Sequence, residues 1–201
     1  MIFGKSATRL ILASASPRRA EILRNAGLEF ETHATDADES RRARESAATY
    51  VRRVANAKAL AAAEKFAVKS GRTIVIGADT VVLANRKILG KPSDVKDARR
   101  MLRLLSGKTH RVLTGLAIMS LPDGAARHHV ETTRVRFRKM SNAEIDDYIA
   151  TGEPFGKAGA YAIQGIGGRY VTQIEGCYFN VVGLPLAGLC KLLAQAQERN
   201  A

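Results

Sequence analysis

The chain has 201 residues, enough for one compact domain with its own core and no need of covalent staples. With 46% hydrophobic and 25% charged residues it has a globular composition, and no run approaches the roughly 18 apolar residues of a membrane span. Lysine and arginine number 32 against 19 aspartates and glutamates, and this net charge of +13 points to an anionic partner: nucleic acid, phosphorylated metabolite or acidic membrane.

The apolar run Leu10 to Ala13 predicts a short buried strand and is too short for the core of a signal peptide. Ser16 and Pro17 then open a helix as N-cap and first helical residue, and Gly27 closes it. Leu28 to Thr32 reads as a second strand, and Thr35 to Glu45, with its run Arg41-Arg42-Ala43-Arg44, as a solvated loop or helix start. Ala47 to Phe66 is a long helix with Val51, Val54, Lys58 and Ala61 on one stripe. Two β-branched runs, Thr73 to Ile76 and Val81 to Leu83, flank Gly77-Ala78-Asp79-Thr80. Asp94 caps a helix that places Val95, Ala98, Leu102 and Leu105 on one face.

Val112 to Met119 and Val130 to Phe137 pair as antiparallel strands around Pro122-Asp123-Gly124. Ser141 and Glu144 form a capping box for a helix reaching Ile149. Strands are expected at Tyr170 to Ile174 and Tyr178 to Val182, and Gly183-Leu184-Pro185 leads into a final helix. The sum is an α/β fold, a mixed twisted sheet flanked by helices, in a single domain over residues 1–201. Cys177 and Cys190 show no metal-ligand spacing, so zinc is not expected and a reducing, cytoplasmic compartment is. The histidines, at 33, 110, 128 and 129, are expected at the surface.

Four segments invite chemistry. In Ser14-Ala15-Ser16-Pro17-Arg18-Arg19 two arginines sit in the first turn of a helix, where the dipole disfavours cations unless an anion lies opposite. Free amides, hydroxyls and guanidinium forks together describe a phosphate cradle; otherwise the arginines simply reach into solvent. Asp79 is either the corner of a turn between two strands or a desolvated carboxylate that meets a cation and orients water. Lys58, on an apolar stripe, can snorkel past its neighbours, whereas Lys91 stands between Gly90 and Pro92 in a turn that a ligand can approach. The glycine-dense run from Gly156 to Gly168 carries Gln164, which can both donate to and accept from a base edge; its alternative is a flexible surface loop. Gly107-Lys108-Thr109 is no phosphate-binding P-loop, because Leu102 stands where its first glycine belongs.

Six segments, Leu12 to Arg19, Gly77 to Thr80, Gly90 to Pro92, Ser106 to His110, Lys157 to Gly165 and Val182 to Pro185, together resemble the Maf family in residue type and order. The resemblance runs from about residue 10 to 195. It implies a Maf/ITPase-like fold and a nucleoside triphosphate pyrophosphatase that cleaves between the α and β phosphates with a divalent metal, Mg²⁺ or Mn²⁺. Asp79 then corresponds to the catalytic base and to a metal contact, with Asp38 or Glu39, from the acidic cluster Asp36, Asp38 and Glu39, as the second metal contact. Ser14, Arg18, Arg19, Lys58 and Lys91 correspond to phosphate-binding positions, and Arg18, Thr80 and Gln164 to positions of substrate selection. The subfamily this chain resembles prefers dTTP and UTP, whereas a sister group acting on 7-methyl-GTP carries an acidic residue in place of Gln164. The residue chemistry agrees, since an amide can pair with the O4/N3–H edge of uracil or thymine and a methylated, cationic guanine rewards a carboxylate. Gly156 is a departure, standing where many members have an acidic residue before Lys157. A homodimer is implied by resemblance alone, and modified pyrimidine triphosphates are an equally compatible substrate set. The alternative is a basic nucleic-acid-binding or cell-division interaction module; nucleic acid is not the expected partner, because aromatic residues are only 5% and none interleaves a basic run as stacking requires.

Overall fold

The computed structural model describes residues 8–66 and 71–198. Among the described residues, seven strands form one sheet in the order β2-β1-β3-β5-β6-β7, with β4 paired to β3. The strands are β1 (Arg9–Ala13), β2 (Glu31–Thr32), β3 (Thr73–Ala84), β4 (Lys87–Leu89), β5 (Thr109–Leu121), β6 (Ala125–Phe137) and β7 (Val171–Glu175). The helices are α1 (Pro17–Asn25), α2 (Ala47–Phe66), α3 (Val95–Leu105), α4 (Asn142–Ala150), α5 (Tyr178–Val182) and α6 (Leu186–Glu198). Strand β1 runs parallel to both β2 and β3, while β4 and β7 pair antiparallel with β3 and β6, so the sheet is mixed as expected.

Four expectations about the strands and helices are corrected. Thr73 to Ala84 is one continuous strand, so Gly77-Ala78-Asp79-Thr80 makes no turn and Asp79 sits inside the sheet. Tyr178 to Val182 is a helix instead of a strand: Gly176, at a φ of +118°, redirects the chain, and Asn180 Nδ2 then donates to the Val112 carbonyl and to Thr133 Oγ1. The expected second strand shrinks to Glu31–Thr32, and Val95 turns out to solvent while Ala98, Leu102 and Leu105 are buried. The predicted caps form: Asp94 accepts from the Asp97 amide, and Ser141 and Glu144 close a reciprocal box at the start of α4.

The chain divides into two compact units, residues 1–79, 114–131 and 183–201 in the first and 80–113 and 132–182 in the second. In the first, the alanine-rich face of α2 (Ala55, Ala59, Ala62, Ala63) packs with Ile11, Ala13, Val75 and Ala117. Two glycines set how closely. A Cβ on Gly77 would lie 2.1 Å from the Ala55 carbonyl oxygen, and one on Gly115 would lie 2.3 Å from that of Val51. Both are closer than any side chain can approach, so the helix backbone rests directly on the strands.

In the second unit, α3 and α4 pack with Phe137, Tyr161 and Tyr170 in one core. His110 belongs to it, with only 2% of its surface exposed, which overturns the expectation of a surface histidine. Its Nε2 is 2.9 Å from Tyr161 Oη, and its ring meets Phe137 edge-on at 5.0 Å. Burial pushes its pKa from 6.5 down to about 4. The unfolded chain therefore takes up a proton that the folded state resists. Stability contributed by the neutral ring is intact above about pH 6.5 and falls by about 3 kcal/mol as pH drops to about 4. Urea unfolding free energies of the wild type should decline more steeply across that window than those of His110→Gln; parallel declines would contradict this assignment.

Candidate active site

The alternation of β3 and the period of α2 bring the key charges together. Gly77 faces α2, so Asp79, two residues along the strand, faces it too. Lys58 lies between Ala55 and Ala59 in sequence, on the part of α2 that the glycine admits, and its ammonium reaches Asp79 Oδ1 at 2.9 Å. The same ammonium is 2.7 Å from Glu39 Oε1. Asp79 is 6% exposed and Lys58 8%, so the lysine does not snorkel to solvent; it carries the charge that compensates a buried carboxylate.

The segment bearing Glu39 has neither helix nor strand, yet it is held in place. Arg53, on α2, donates to both carboxylate oxygens of Glu45 at 2.7 and 2.9 Å and to the Ser40 carbonyl at 2.8 Å. Glu45 accepts from the Arg42 amide as well, and with Arg53 as the main cause its pKa falls to about 2. Tyr50 Oη donates to the Glu39 carbonyl at 2.8 Å. Burial, then the carboxylates of Asp79 and Glu39, push this phenol up to about 12, so it stays a donor.

The arginine pair sits at the start of α1. Ser16 caps the helix by backbone geometry without a side-chain bond, and its amide instead donates to Ser14 Oγ at 3.2 Å. Arg19 Nη1 donates to the same hydroxyl at 3.0 Å, and its Nε donates to the Gly183 carbonyl at 2.8 Å. Burial lowers the pKa of Arg19; the charges of Asp79 and Glu39 oppose that shift and the neighbouring Arg18 adds to it. Arg18 is half-buried and its pKa is likewise lowered by burial. Two guanidinium groups whose charge is disfavoured by burial are suited to meeting an anion.

Thus Ser14, Arg18, Arg19, Glu39, Lys58 and Asp79 all lie in the first unit, where Ser14 contacts Arg19 and Lys58 contacts both Glu39 and Asp79. Thr80, Lys91 and Gln164 belong to the second. Thr80 follows Asp79 on β3, is half-buried and turns to the opposite face of the strand. Lys91 is exposed in the turn between β4 and α3, and that turn is tied to the glycine-dense segment by a bond from the Gly159 amide to the Gly90 carbonyl at 3.0 Å. Gln164 is exposed between two 3₁₀ turns, Ala158–Ala160 and Ile166–Tyr170, so the segment is shaped rather than a featureless loop.

Asp79 and Glu39 meeting at one ammonium are a suitable donor set for a hard divalent cation that arrives on phosphate oxygens. Among the described residues no group of three or more His, Cys, Asp or Glu side chains is placed to hold a metal ion, so substrate oxygens would have to complete the shell.

A family model described as Maf-like protein matches residues 9–196. The chain belongs to the Maf family. It is 47% identical over 186 residues to the dTTP/UTP pyrophosphatase of Vibrio cholerae, covering 92% of this chain and 97% of that protein. It is 48% identical over 187 residues to the dTTP/UTP pyrophosphatase of Koribacter versatilis, covering 93% and 94%. Among solved structures it is similar to the Staphylococcus aureus Ham1 protein, at a TM-score of 0.41 and 13% identity over 64% of this chain and 71% of that one.

Arg53, Glu45 and Tyr50 escape sequence reasoning, because each acts partly through backbone groups of the Glu39 segment. For Arg53 and Glu45 the one available signal was an Arg and a Glu eight residues apart across a helix start.

Proposed function

We propose that this Maf protein hydrolyses dTTP and UTP, or modified pyrimidine triphosphates of the same shape, to the nucleoside monophosphate and pyrophosphate. The observation that carries the reading is the single Lys58 ammonium shared by Asp79 and Glu39 beside the Ser14–Arg19 contact. The names of relatives at 47% and 48% identity supply the substrate class.

In this reading Arg18, Arg19 and Lys58, with the Ser14 hydroxyl, neutralise the triphosphate and the departing pyrophosphate. Lys58 occupies Oδ1 of Asp79, and we assign the other oxygen, Oδ2, to the attacking water. The water oxygen bonds to the α-phosphorus, its proton passes to Asp79, and the bond from that phosphorus to the α–β bridging oxygen breaks. Asp79 and Glu39 would hold Mg²⁺ or Mn²⁺, which would supply further charge neutralisation on the phosphates. Lys91 binds phosphate, Thr80 contributes to selection, and Gln164 reads the base. The reading includes a homodimer, supported by the family resemblance, and a cytoplasmic location, supported by two cysteines that are both free. No helix among the described residues is long and apolar enough to cross a membrane.

Gln164→Glu replaces the amide donor with a carboxylate that can only accept, so preference for UTP over other triphosphates should fall by about 10-fold or more. Relative kcat/KM values across a nucleotide panel measure it, and an unchanged ranking would reject the base-reading role.

A further inference from the structure

Within the second unit, Gln164 stands at the tip of a turn that is held from both sides by one pair of side chains. On the upstream side, the Ala162 amide donates to Tyr148 Oη at 3.2 Å. On the downstream side, the amides of Ile166 and Gly167 donate to the two carboxylate oxygens of Glu153, each at 2.9 Å. Tyr148 Oη in turn donates to Glu153 Oε1 at 2.7 Å, closing the clamp. The backbone adds a bond from the Gly165 amide to the Ala162 carbonyl.

The fit around the carboxylate is close. A Cβ on Gly165 would lie 2.2 Å from Glu153 Oε2, so the residue next to Gln164 has to be glycine for the carboxylate to sit where it does. Burial by itself would raise the pKa of Glu153; the Gly167 amide, the Tyr148 hydroxyl and the Ile166 amide outweigh it and keep the carboxyl below its ordinary range. An ionised carboxylate can accept from two adjacent backbone amides and a phenol at once. A glutamine in its place has to point its own NH₂ at one of those donors.

We propose that Glu153, braced by Tyr148, is a positioning residue for pyrimidine selection: it fixes the turn that presents Gln164 to the base. The inference rests on the reading of Gln164 as the base-reading residue. Uracil and thymine offer an N3–H donor and an O4 acceptor, whereas cytosine reverses both. The Gln amide can turn to offer either pattern, so the turn contributes by fixing where the amide meets the base edge, and a loosened turn weakens the hydrogen bonds that tell the two bases apart. Glu153 therefore acts on discrimination and substrate binding more than on the chemical step at Asp79.

The test compares Glu153→Gln, Tyr148→Phe and Gln164→Ala for UTP and CTP, with backbone hydrogen exchange at Ile166 and Gly167. Tyr148→Phe keeps the buried ring and breaks the same clamp from its other side, so it stands in should Glu153→Gln fail to fold. Expected for both clamp variants are a KM for UTP about 10-fold higher, a smaller change in kcat, and a UTP:CTP ratio of kcat/KM about 10-fold lower. In Glu153→Gln, exchange at the two amides should also quicken. If Gln164→Ala lowers the ratio and neither clamp variant does, the role of Glu153 is overturned while Gln164 keeps its own. If Gln164→Ala leaves the ratio unchanged, base reading by Gln164 fails and the positioning role fails with it.

Discussion

Replacing Asp79 with Asn should lower turnover of dTTP by about 10²-fold or more, the range expected for a general base. The substitution is nearly isosteric, and Lys58 keeps its 2.7 Å contact with Glu39, so the ammonium is not stranded and the fold should survive. Loss should therefore appear in kcat at saturating substrate, with thermal unfolding close to the wild type. The reason lies in the surroundings of Asp79. It is buried in the middle of β3, with Lys58 as its hydrogen-bonded cation, and the Asn amide can neither take a proton from water nor offset that charge. Near-wild-type turnover at saturating dTTP would show that another group activates the water.

Gly77→Ala should have the other large effect, through a residue that itself takes no part in the chemistry. The added methyl would meet the Ala55 carbonyl oxygen at 2.1 Å and the Ala59 amide nitrogen at 2.8 Å, so α2 has to move off the sheet. Overpacking of this kind costs about 1–3 kcal/mol, and contact with helix backbone places it at or above the upper end. Lys58 lies between those two residues, so the shift also separates it from Asp79, and a misplacement of roughly 1 Å can cost about 10² in rate. Both losses should appear together, a lower Tm and a lower kcat, whereas Asp79→Asn should show only the second. A variant with unchanged Tm would mean that the helix does not rest on the strand at this point.

The contrast between these two substitutions explains what was legible in the chain and what was not. Helix α2 could be bounded at Ala47 and Phe66 from periodicity, and α4 from its capping box, because both signals are local. The Gly-Ala-Asp-Thr segment carries the local signature of a turn, and local logic left a turn open at Asp79. The glycine is there to admit a helix 18 to 22 residues earlier in the chain, and the aspartate because a lysine on that helix meets it. Tyr178 to Val182 misled in the same way: its β-branched and aromatic residues read as a strand, but Asn180 is drawn inward by Val112 and Thr133. His110 was missed because its partner Tyr161 is 51 positions away.

For the candidate site, Ser14, Arg18, Arg19, Lys58, Lys91, Asp79 and Gln164 were all singled out in the sequence, since phosphate and base chemistry draw on a small set of residue types. The residues that shape their surroundings were not. Arg53 holds the segment of Glu39 through a carbonyl and a carboxylate, and Glu153 holds the turn of Gln164 through two amides. Support of this kind is written in backbone geometry, which only the folded chain displays.

The most direct test of the account is product analysis. Wild type and Asp79→Asn are incubated with dTTP, UTP, CTP and GTP in Mg²⁺ or Mn²⁺, and pyrophosphate, orthophosphate and nucleotide products are quantified. Equal amounts of monophosphate and pyrophosphate are expected from dTTP and UTP, much less from the other two, and a loss of about 10²-fold or more in the variant. Nucleoside diphosphate and orthophosphate as products, or salt-sensitive DNA binding with no pyrophosphate released from any triphosphate, would contradict that expectation.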